Sequence, residues 1–140
     1  MDLGLTRCGV VVTGASKGLG RSAARALAAE GANVFAVART EASLKELAAE
    51  TFAGQIHPYV CDMRNREDVR AIAAVAVERL GRLDVVVNNA GIAPAANFLE
   101  MDMSVFDEVM EVNVASIAVL SQAAAPPLRR RRLKRRAVTA

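Results

Sequence analysis

The 140-residue chain is long enough for one domain with a substantial core, and its 53% hydrophobic and 24% charged residues exclude a disordered polymer. No apolar run reaches the ~18 residues of a membrane span, and the start Met1-Asp2-Leu3-Gly4-Leu5-Thr6 lacks the apolar core of a signal peptide. The net charge of +3 divides unevenly: seven of the 18 basic residues lie in 129–136, while the chain up to Leu128 carries 11 basic against 15 acidic side chains, a net of −4.

In chain order, Cys8–Thr13 reads as a short buried strand. It runs straight into Thr13-Gly14-Ala15-Ser16-Lys17-Gly18-Leu19-Gly20, with three glycines at Gly-x-x-x-Gly-x-Gly spacing. An alanine-rich helix follows over 18–30, with Leu19, Ala23, Ala24, Leu27 and Ala28 as its inner face and Gly31 as its stop. Glycines between a buried strand and a helix let backbone approach a diphosphate, and the helix N-terminus offers it free N–H groups. Asn33–Ala38 is a second strand, 41–52 a second helix, Ile56–Cys61 a third strand, and 65–80 an amphipathic helix before Gly81. Asp84–Val87 is a fourth strand that enters Asn88-Asn89-Ala90-Gly91. A long helix then opens at Met101 or Asp102, runs to about Ala125 and is expected to stop at Pro126-Pro127.

Strands that are continuously apolar and alternate with helices imply a parallel sheet covered on both faces. The expected fold is α/β: a doubly wound, Rossmann-like parallel sheet of strand order 3-2-1-4. Residues 1–125 form this nucleotide-binding domain, incomplete, and 126–140 form a basic, disordered tail. Cys8 and Cys61 are too few and too far apart for a disulfide framework or a zinc site; no metal is expected, and both read as buried free thiols in a reducing cytoplasm.

Arg39, followed by Thr40, stands 19 residues after Gly20 at the end of the second strand. In such folds an acid at this corner hydrogen-bonds the ribose 2′-hydroxyl of NAD, whereas an Arg accommodates the 2′-phosphate of NADP. Lys17 adds a second cation, so NADP(H) is favoured over NAD(H). Asp62, with Met63 beside it, lies at the third strand's C-terminal end, where it either accepts the adenine amino group or caps the next helix. Asn89, Ala90 and Gly91 point to the same crevice. Asn113 shares a helical face with Phe106, Val109, Met110, Ile117 and Leu120, and an amide placed there requires a specific hydrogen-bond partner.

Together these motifs resemble the short-chain dehydrogenase/reductase family over roughly residues 3–125. Thr13–Gly20 is similar to its cofactor loop, Asp62 to its adenine-contacting Asp, Asn88–Gly91 to its Asn-Asn-Ala-Gly, and Asn113 in Glu111-Val112-Asn113-Val114 to the helix Asn of its catalytic tetrad. The segment 37–44 is similar to carbonyl and xylulose reductases of the family. The resemblance implies a dinucleotide cofactor, interconversion of small alcohols and carbonyls, and a homo-oligomer.

The family's catalytic Ser and its Tyr-x-x-x-Lys helix have no counterpart here. The only Tyr is Tyr59, and the only Lys after the long helix is Lys134. The expectation is therefore a truncated cofactor-binding half without turnover, in which substrate and oligomer belong to a full-length form. The switch at Pro126 to Arg-rich sequence, with 15 Arg against 3 Lys, is what out-of-frame reading of GC-rich DNA produces. A frameshift or gene fragment is thus one expectation, and a non-catalytic dinucleotide-binding module another. Nucleic-acid association through the tail is a third, expected to be nonspecific and lost in moderate salt, since the domain shows neither a basic face nor stacking aromatics. Loss of a fifth strand is expected to leave the fourth as an uncovered apolar edge and the fold marginally stable.

Overall fold

The computed structural model describes the backbone of residues 3–138 and the side chains of residues 3–130. In chain order the elements are β1 (Gly9–Thr13), α1 (Gly18–Ala29), β2 (Asn33–Ala38), α2 (Glu41–Ala48), β3 (Ile56–Val60), α3 (Arg66–Leu80), β4 (Val85–Val87) and α4 (Met103–Met110). A π-helical turn over Glu111–Ala115 then leads into α5 (Ser116–Val138). The strands form one parallel sheet in the order β3-β2-β1-β4, as the sequence predicts.

Strand pleating divides the apolar run of β1 between two cores. Val10 and Val12 join Val34 and Ala36 of β2 beneath Ala24 and Ala28 of α1 and Leu44 and Leu47 of α2. On the other face Val11, Phe35 and Val37 meet Val69, Ile72 and Ala76 of α3 and Leu120 and Ala124 of α5. Both faces are covered, which is why neither strand alternates apolar with polar residues. On that second face Arg79 lies 5.7 Å from the ring centroids of both Phe35 and Tyr59.

Several boundaries and faces differ from expectation. In α1 the buried positions are Gly20, Ala24 and Ala28, while Leu19 is 83% exposed, because Gly20 is the residue that turns toward the sheet. The α2 helix ends at Ala48 rather than Phe52; the chain bends back so that the Gly54 amide donates to the Ala28 carbonyl at 2.8 Å. Cys8 is half-buried rather than buried.

The long helix is three segments, and its inner face is not the predicted one. Val112, Ser116, Leu120 and Ala124 are buried, whereas α4 buries no residue and Phe106 and Met110 are 43% and 41% exposed. A π turn holds one more residue than an α turn and therefore rotates the apolar stripe of α4 away from that of α5. Nor does the helix stop at Pro126 and Pro127, which lie inside α5. They remove two backbone donors, but Leu128 packs against the core and the Arg, Leu and Lys that follow are strong helix formers. The backbone is thus helical to Val138 where a disordered tail is expected; the side chains of the basic residues from Arg131 to Arg136 lie outside the described residues. Among the described residues strand β4 pairs only with β1, and its three valines are partly buried.

Candidate cofactor site

The C-terminal ends of all four strands converge on a cleft of about 280 Å³, the place where an open parallel sheet puts its ligand. Gly14 brings the β1 turn to it, Ala38 and Arg39 the end of β2, Asp62, Met63 and Arg64 the end of β3, and Asn89, Ala90, Gly91 and Ile92 the end of β4. Ser16, Lys17 and Gly18 form one rim; Glu108 and Val112 form the opposite wall.

The turn is built by close approach. Gly14 has φ +69°, and a Cβ there would lie 2.9 Å from Ala90 Cα. A Cβ on Gly20 would fall 2.3 Å from the Gly14 carbonyl oxygen and 2.4 Å from Asn89 Nδ2, so Gly20 seats α1 against the turn and stays out of the cleft. Thr13, 1% exposed, locks this turn to the β4 turn, its hydroxyl oxygen accepting from the Asn89 and Ala90 amides at 3.0 Å each. Asn89 returns the tie by donating from Nδ2 to the Thr13 carbonyl at 3.0 Å.

The rim fits an anion. The N-cap of α1 is Lys17, which supplies no side-chain cap, so the first-turn amides have no partner from that residue. At Gly18 (φ +58°) a Cβ would meet nothing within 4 Å, which leaves the backbone open to an approaching phosphate. Lys17 and Arg39 are exposed, and neither side chain forms a hydrogen bond or ion pair among the described residues. The donor set therefore suits the phosphates of a dinucleotide.

Asp62 is not the cap of α3. Asn65 is, accepting from the Glu67 and Asp68 amides. Asp62 instead accepts from the Arg64 amide at 3.0 Å and from the Arg64 guanidinium on both carboxylate oxygens, while Arg64 Nη1 reaches Glu108 at 3.1 Å. Those Arg64 hydrogen bonds, against an opposing effect of burial and with help from the Arg39 charge, bring the Asp62 carboxyl down to about 2. Cys61, on the cleft floor, goes the other way. Burial and the Asp68 and Asp62 charges push its thiol up to about 11, so it is no nucleophile.

Asn113 sits within the π turn with both ends of its amide engaged. Oδ1 accepts from the Ile92 amide at 2.8 Å and Nδ2 donates to the Ile92 carbonyl at 2.9 Å. It therefore fixes the backbone that leaves the β4 turn, and it does not line the cleft. Behind it the Ser116 hydroxyl, fully buried, donates to the Val112 carbonyl at 2.6 Å.

Ten predicted residues thus meet at the cleft: Gly14, Ser16, Lys17, Gly18, Arg39, Asp62, Met63, Asn89, Ala90 and Gly91. Leu19, Gly20, Thr40 and Asn113 do not line it. Sequence reasoning missed Arg64 and Glu108; the charged run after β3 carries a faint signal for Arg64, and nothing in the spacing marks Glu108.

The model of the short chain dehydrogenase family matches residues 9–136, past the two prolines that the sequence resemblance stops short of. The chain belongs to the short-chain dehydrogenase/reductase family. It is 35% identical over 127 residues to bovine (Bos taurus) dehydrogenase/reductase SDR family member 11, with 88% of this chain and 50% of that protein covered. Human (Homo sapiens) L-xylulose reductase is 41% identical over 123 residues, 87% of this chain and 48% of that protein. Among solved structures, L-sorbose reductase from Gluconobacter frateurii, complexed with NADPH and L-sorbose, superposes with a TM-score of 0.88 at 30% identity, covering 94% of this chain and 51% of that one. The chain spans about half the length of the curated relatives it matches. No helix among the described residues is long and apolar enough to cross a membrane.

Proposed function

We propose that the chain is the NADP(H)-binding part of a cytoplasmic oxidoreductase that interconverts small alcohols and carbonyls, with NADP(H) favoured over NAD(H). The observation that carries this reading is the corner where Lys17 and Arg39, whose side chains form no hydrogen bond or ion pair among the described residues, face one cleft with no carboxylate at position 39. An Arg fork suits a ribose 2′-phosphate, and Lys17 adds its charge from the glycine turn. The likeness to L-sorbose reductase complexed with NADPH agrees with it. Gly18 and the first turn of α1 would take the diphosphate, Asp62 the adenine, and Asn89 to Gly91 the run toward the nicotinamide. The bound cofactor supplies the hydride.

These 140 residues hold no Ser and Tyr-x-x-x-Lys set after the Asn113 helix, so the chain alone binds cofactor without turnover, and substrate choice rests on a longer form. The test uses 2′,5′-ADP, which carries the 2′-phosphate, against 5′-ADP. Wild type should prefer the former by about tenfold or more, and Arg39→Ala should remove most of that preference. Equal affinities in wild type would refute the NADP(H) assignment.

A further inference from the structure

The charged side chains that line the cleft are Lys17, Arg39 and Arg64 against Asp62 and Glu108, a balance of +1. Arg64 holds that sign. It is the only side chain among the described residues that hydrogen-bonds either acid, gripping Asp62 through Nε and Nη2 and reaching across to Glu108 through Nη1. Lys17 and Arg39 leave the two acids to Arg64 and remain free for a ligand. Without Arg64 the lining would total 0, with both carboxylates bare in a cleft that must accept phosphates. A 2′-phosphate adds about −1.5 to −2 charges, so a ligand carrying it feels the loss of that positive charge far more than one without it.

We propose that Arg64 is a specificity residue: by screening Asp62 and Glu108 it keeps the cleft cationic and so sustains the preference for the dinucleotide that bears a 2′-phosphate. This rests on the NADP(H) reading above. Arg64 acts through the field in the cleft and needs no contact with the cofactor.

The experiment measures binding of NADPH and NADH, by nicotinamide fluorescence, to wild type, Arg64→Gln, Arg64→Lys, Glu108→Gln and the Arg64→Gln/Glu108→Gln double variant. Arg64→Gln should weaken NADPH by about three- to fivefold and NADH by less than about twofold, the size of partly exposed charge effects. The double variant restores a lining balance of +1, and with it the wild-type NADPH/NADH ratio to within about twofold. Arg64→Lys should hold the ratio, and 0.5 M salt should erase the difference between Arg64→Gln and wild type. An unchanged ratio in Arg64→Gln, or a double variant no better than Arg64→Gln, overturns the proposal while leaving the parent reading intact. A wild type with no NADPH preference defeats the parent reading itself, and the proposal falls with it. Thermal melts of each variant separate loss of fold from loss of charge.

Discussion

The two halves of the molecule are held by different means. From β1 through α2, strands with no exposed side chain are sealed under helices, and the Gly14–Gly20 turn fits its surroundings so closely that a methyl at Gly14 or Gly20 would collide. From β4 onward burial is partial. The three valines of β4 sit at a sheet edge, α4 buries nothing, and Phe98 and Leu99 are 82% and 89% exposed. The site spans this divide. Its Ser16–Gly18 rim rests on the sealed half, and its opposite wall hangs from the loose half through the Asn113–Ile92 clamp and the Arg64–Glu108 bridge. The glycine turn is therefore over-determined by packing, whereas on the far wall Val112 is packed but Glu108 is held by one hydrogen-bonded partner.

The contrast can be broken hardest at Gly20. Gly20→Val forces backbone apart at the Gly14 carbonyl, where no flexible side chain can yield, and should cost about 3 kcal/mol or more together with all nucleotide affinity. Chemical denaturation of the variant reads this directly. Next come matched truncations in the two halves. Leu44→Ala removes a fully buried side chain and should cost about 2–5 kcal/mol, whereas Met110→Ala, at 41% exposure, should cost under about 0.5 kcal/mol. Similar losses at the two positions would dissolve the distinction. A local change sharpens it: Asn113→Ala leaves the Ile92 amide and carbonyl without their partners and should cost about 1–2 kcal/mol. Hydrogen exchange after β4 should quicken in that variant while α1 stays protected.

What the sequence made legible follows the same divide. Strand order, the glycine turn and the Lys17 and Arg39 corner were readable because local periodicity, spacing and crossover handedness dictate them. The face of the long helix was not. A π turn changes the phase by one residue, and no residue pattern announces it; Phe106 and Met110 consequently look inward in sequence and face outward in the fold. Asn113 was legible as an amide that needs a partner, but only the fold shows that Ile92 takes both of its ends. Arg64 and Glu108 meet across 44 residues of sequence through the packing of α4 beside the β3 end, a contact of tertiary origin. Pro126 and Pro127 mislead because a proline's cost to a helix is local, and neighbouring packing and propensity can outweigh it.

Side-by-side titration of the 140-residue chain with NADPH and NADH, followed by nicotinamide fluorescence, tests the central claim most directly: that these residues alone build a dinucleotide site with a 2′-phosphate corner. The account predicts saturable binding of both, with NADPH tighter by about tenfold at low salt and the gap narrowing as salt rises. Equal affinity, or no saturable binding by a chain that melts cooperatively, would contradict it.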